Sequence, residues 1–181
     1  VVGVIGDAGN TNRMSYTLLS RGIGDGFSIP IRDLAFAGGT ATNAGLPVRE
    51  AAYYRIAIPS NAASWKVKVG VIEGDATLVT QWSCLPNIGP QTNVYPTAVK
   101  GGRQDRKRGN EHFLLLADPG EGSIPDGVCY AAVVSEGVGS TQASIGTGTC
   151  SFAIASEGEA VVVDMGMVGP ADLVRADTLE D

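Results

Sequence analysis

Asp118, Glu121 and Asp126 lie close enough in the chain to resemble a paired-carboxylate acid/base site. Such a pair works when one carboxyl is held protonated and the other ionised. Here the three sit among Pro119, Gly120, Gly122, Pro125 and Gly127, where aspartate forms turns for backbone reasons, so they read as exposed turn residues. The one histidine, His112, opens an apolar run of Phe113, Leu114, Leu115 and Leu116 and reads as a core-rim or edge residue. No serine lies in a GxSxG elbow, and no cysteine carries the local signature of a nucleophile. The expectation is no catalytic residue and no enzyme.

Asp7, Asp25, Asp75, Asp118 and Asp126 stand beside glycines or in turns. Calcium takes six to eight clustered oxygens, and none of these aspartates follows the regular calcium-loop spacing. The expectation is no cofactor and no metal ligand; calcium is the one ion that such turn aspartates would suit. The glycines at 3 and 6, and at 22, 24 and 26, lack the strand–loop–helix setting of a phosphate cradle. Cys84, Cys129 and Cys150 fit no zinc spacing. They read either as one disulfide plus a free thiol in an oxidising compartment or as buried free thiols.

Residues 85–109 form a long connection with Pro86, Pro90 and Pro96 and no apolar alternation. It holds Lys100, Arg103, Arg106, Lys107 and Arg108, five of the 13 basic residues. A loop this long in a compact domain is usually functional, and Arg103, Arg106, Lys107 and Arg108 are its candidate contact residues. After Cys150 the chain carries seven acids against one base, so loop and tail could attract across a contact between modules. The formal net charge of −6 argues against a nucleic-acid partner. No apolar run approaches 18 residues, so no membrane span is expected.

The elements that would carry these residues are strands. In residues 65–71, Trp65, Val67, Val69 and Val71 alternate with Lys66, Lys68 and Gly70, which predicts one core face and one wet face. Tyr54, Ile56 and Ile58 alternate with Tyr53, Arg55 and Ala57, up to Pro59. Further strands are expected over 76–82, 112–117, 128–135 and 150–155, each bracketed by glycine, proline or aspartate turns. No window has a helical stripe. The predicted class is all-β: a jelly-roll-like antiparallel β-sandwich with extended terminal segments.

The end of the chain repeats its beginning. Residues 15–22, SYTLLSRG, match residues 151–158, SFAIASEG. Each copy runs into an apolar stretch with one aspartate, Asp33 in 27–36 and Asp164 in 160–168, and residues 41–50 have a loose echo in 170–180. The expected organisation is a segment 1–45 resembling the end of a preceding module, a sandwich 46–158, and a segment 159–181 that is a linker or the start of a next module. Tyr16, Leu18, Phe27, Ile29, Ile31, Val161 and Val163 are the residues expected to form an assembly interface.

From Tyr53 onward, YYRIAIP, WKVKV, GDATLV and GVCYAAVV resemble the bacterial pre-peptidase C-terminal domain over residues 46–158. The resemblance implies a compact sandwich in an exported bacterial protein, extracellular or at the cell surface, often in tandem or behind a hydrolase, and generally non-catalytic. The long basic loop and the duplicated edges depart from that pattern. The function expected is a structural module that joins copies of itself or neighbouring modules head to tail into an array or filament. The alternative is an accessory domain of a secreted hydrolase that binds polymer or protein.

Overall fold

The computed structural model describes residues 17, 29–90, 97–100, 102–106, 108–141 and 144–159. Eleven strands follow one another: β1 Ile31–Leu34, β2 Ala37–Pro47, β3 Ala51–Ile58, β4 Ser64–Glu73, β5 Ala76–Trp82, β6 Asn87–Pro90, β7 Thr97–Lys100, β8 Arg103–Asp105, β9 Glu111–Leu116, β10 Gly127–Ser135 and β11 Thr149–Gly158. No helix occurs among the described residues. One sheet runs β1-β3-β10-β5-β8 and the other β2-β11-β4-β9, with β6 and β7 as a separate hairpin. Outside that hairpin, successive strands change sheet at almost every connection. The fold is an all-β sandwich.

Strict alternation is what holds the sheets together. Trp65, Val67 and Val69 on β4 and Phe152 and Ile154 on β11 are buried. Facing them are Tyr54, Ile56 and Ile58 of β3, Leu78 of β5, and Cys129, Ala131 and Val133 of β10. Burying one such aliphatic side chain is worth about 1.5–3 kcal/mol, and a one-residue slip would forfeit the whole set. Trp65 also carries a polar handle: its indole Nε1 donates to Ser156 Oγ at 2.9 Å, and that hydroxyl donates to the carbonyl of Phe36 at 2.7 Å. Ser156 therefore ties β4, β11 and the turn before β2 through one buried oxygen. Ring edges of Trp82 and Phe113 close on Trp65 at centroid distances of 6.0 and 5.7 Å.

The organisation differs from the sequence expectation at its N-terminal boundary. The expected division after residue 45 falls inside β2, and Ile31–Leu34 belongs to the sandwich of its own chain. It forms β1, parallel to β3 with Ile31 opposite Tyr53, and Leu34 enters the core. Arg55 on β3 reaches across to Asp33 with hydrogen bonds of 2.6 and 2.9 Å, and this hydrogen bonding lowers the Asp33 carboxyl below its ordinary range. β2 then pairs antiparallel with β11. Sequence periodicity missed β2 because AGGTATNAGLP has few large apolar residues and its ladder to β11 is broken by two register shifts. The long connection likewise contains β6, β7 and β8, each too short to display a period.

The three cysteines are free thiols, Cys84 exposed and the other two buried. Cys129 lies on β10 and Cys150 on β11, in different sheets. Burial pushes the Cys129 thiol up to about 12; burial, with Asp75 and Glu73 adding, pushes Cys150 up to about 11. Only the thiolate attacks an alkylating reagent, so neither should react at neutral pH. We expect a maleimide to label one thiol per native chain, at Cys84, and three in denaturant without reductant. Two missing thiols in denaturant would reveal a disulfide.

Candidate assembly interface

The interface residues expected from the sequence fall into two groups. Tyr16, Leu18, Phe27, Val161 and Val163 lie outside the described residues. Ile29 precedes β1, and Ile31 opens it at 39% exposure on the margin of the five-stranded sheet.

The basic loop divides in the same way. Lys107 lies outside the described residues. Arg103 is exposed and sits over the Phe113 ring, 5.6 Å from its centroid. Arg108 is also exposed. Arg106 is turned into the fold: its Nη2 donates to Glu136 Oε2 at 3.0 Å and to the carbonyl of Thr141 at 2.8 Å. Glu136 is 1% exposed, and its Oε1 accepts from Thr77 Oγ1 at 2.9 Å. Asp75 anchors the same region, accepting from the amides of Ala76 and Gly109 and, at 2.8 Å, from Ser140 Oγ. Carboxylates thus pin the later part of the loop's basic stretch, at Arg106 and Gly109, and Arg106 is a structural cation.

The groups with catalytic chemistry are not brought together. His112 is exposed on β9, and its backbone amide donates to Asp105 Oδ2 at 3.3 Å. Asp118, Glu121 and Asp126 are exposed in the turns between β9 and β10. Among the described residues no group of three or more histidine, cysteine, aspartate or glutamate side chains could hold a metal ion.

Two features bear on assembly. The first is how β11 uses the motif that recurs at the N-terminus. Ser151 Oγ accepts from the Gly45 amide at 3.0 Å, Phe152 and Ile154 fill the core, and Ser156 makes the buried link from Trp65 to Phe36. Gly158 has φ +79°, and a Cβ there would come within 2.8 Å of the Ala37 side chain. Residues 15–22 keep serine, aromatic, aliphatic, serine and glycine at the five corresponding positions: Ser15, Tyr16, Leu18, Ser20 and Gly22. They diverge at Thr17, Leu19 and Arg21, which correspond to Ala153 and Ala155 and to the exposed Glu157. Glu157 bridges Lys66 and Lys68 at 3.4 and 3.1 Å. Burial works against its ionised form, but the Lys68 hydrogen bond and the two lysine charges outweigh it and lower its carboxyl.

The second feature is β9. It is the last strand of its sheet, paired with β4 over six consecutive residues without a shift. Leu114 and Leu116 project from it at 45% and 54% exposure. Sequence reasoning recognised the strand but not its position at an edge, which strand order alone reveals. No protein-family model and no curated protein matches this chain.

Proposed function

We propose that the chain is a non-enzymatic structural module of an exported bacterial surface protein, joining copies of itself or neighbouring modules head to tail through β-strand contacts. The observation that carries this reading is the recurrence of the β11 pattern at residues 15–22. Conservation of type falls on the positions that β11 buries or hydrogen-bonds, and divergence falls on its outer face and its exposed end. A second β11-type strand has unpaired amides and carbonyls unless a sheet edge receives it, and the described sandwich already contains its own β11. Contacts of this kind join different surfaces, so they need not close on themselves and can continue into an open array. Export and surface location rest on the resemblance of 46–158 to the pre-peptidase C-terminal domain.

The competing idea, a polymer-binding accessory domain, loses part of its support because Arg106 is already engaged by Glu136. Electron microscopy and sedimentation of the full chain at increasing concentration test the reading. Regular linear assemblies are expected; a chain that stays monomeric at high concentration would overturn it.

A further inference from the structure

Resting on that head-to-tail reading, we propose that the outer edge of β9 is the acceptor, and that residues 15–22 of a second copy add beside it as a fifth strand of the β2-β11-β4-β9 sheet. Among the described residues the sandwich has four sheet edges, and three are blunted. β1 is four residues long with exposed Arg32 and Asp33; β8 is three residues long and reads Arg103-Gln104-Asp105. β2 has left-handed glycines at 38 and 45, two register shifts against β11, and Pro47 at its end. Short length, charge, irregular backbone and proline are the devices that keep an edge from pairing.

β9 carries Glu111 and His112 at its start, but the rest of the strand, Phe113 to Leu116, holds no charge, no proline and no left-handed residue. The Ala117 amide bonds back to Ala63 in line with the β4 ladder, whereas the His112 amide points away from β4, to Asp105. Alternation along the strand therefore turns the backbone groups of Leu114 and Leu116 to the open edge. Their side chains stand exposed on the outer face, and Phe113 and Leu115 are half-buried on the inner one. Among the described residues no strand pairs with this side of β9.

Residues 15–22 are suited to this edge rather than to the place of β11. Arg21 stands where Glu157 bridges Lys66 and Lys68, so the copy would set a third cation beside two lysines if it took the β11 position. Leu19 stands where Ala155 lies opposite Lys68. Laid parallel to β9 with Tyr16 at Phe113, the segment brings Leu18 to Leu115, Leu19 to Leu116 and Arg21 to the exposed Asp118. Main-chain bonds to Leu114 and Leu116 supply affinity, and the alternate side chains supply register.

The test uses the full chain with p-benzoylphenylalanine in place of Leu116, mixed as isotopically heavy and light copies and irradiated. Cross-links between a heavy and a light copy, falling within residues 15–22, are expected. In parallel, Leu114→Lys with Leu116→Lys should raise the concentration needed for assembly by about a hundredfold while leaving the melting transition in place. Assembly that persists in the double variant, with cross-links elsewhere, would overturn the β9 assignment and leave the head-to-tail reading standing. An intact chain giving neither assembly nor intermolecular cross-links would overturn both.

Discussion

Val69→Asp is expected to abolish cooperative folding. Val69 lies mid-strand on β4, 1% exposed, with Ile154 of β11 opposite on one side and Glu111 of β9 on the other. An aspartate there would place a carboxylate between the two sheets, among Ile154 and its core neighbours, where water does not reach. Burying such a group without partners costs several kcal/mol, comparable to the roughly 5–15 kcal/mol that keeps a domain folded. The adjacent residue gives the contrast. Gly70 has an ordinary φ, and a Cβ added to it meets nothing within 4 Å. Gly70→Asp should therefore keep a cooperative melt close to that of the parent chain. Circular dichroism melts of the two variants separate the faces of one strand; a cooperative melt for Val69→Asp would mean that the register of β4 is wrong.

That contrast also marks what could be read in the sequence. β3 and β4 were legible because each buries one face fully, so period two is written in residue type: Tyr54, Ile56 and Ile58, then Trp65, Val67 and Val69. Val71, placed on the same face, is only half-buried, two residues beyond the point where the ladder to β9 ends at Val69. β1 and β2 were not legible as part of the same sandwich. β1 is short and charged, and β2 is held by backbone pairing and by the Ser156 link more than by its own side chains. The repeated motif at 15–22 was visible from the order of residue types, but the reason for each of its residues was not. A serine followed two residues later by glycine looks unremarkable until Ser156 is seen between Trp65 and Phe36, with Gly158 against Ala37. Edge position was beyond reach for a similar reason: whether FLLL lies inside a sheet or at its margin depends on strand order, which no local pattern records.

Arg106→Ala should destabilise the sandwich by about 3–5 kcal/mol, lowering the melting temperature by roughly 10–15 °C. The Arg106 side chain is 15% exposed and that of its partner Glu136 is 1% exposed. Truncation removes a charge-assisted bond of 3.0 Å from a carboxylate that cannot turn to water, and it also strips the bond to the Thr141 carbonyl. Pairing the change with Glu136→Gln tests the cause, because a neutral amide keeps an oxygen for the Thr77 hydroxyl and no longer needs the cation. The double variant should recover part of the loss. At exposed positions, Arg108→Ala should shift stability by no more than about 0.5 kcal/mol, and Arg103→Ala, which loses the contact with the Phe113 ring, by no more than about 1 kcal/mol. If Arg106→Ala melted with the parent chain, Arg106 would be a surface cation after all, and the whole basic stretch would again be available to a polymer. If it melts as expected, any loss of binding or assembly in that variant reports the fold, and only Arg103 and Arg108 among the three described loop arginines can probe contact with a partner.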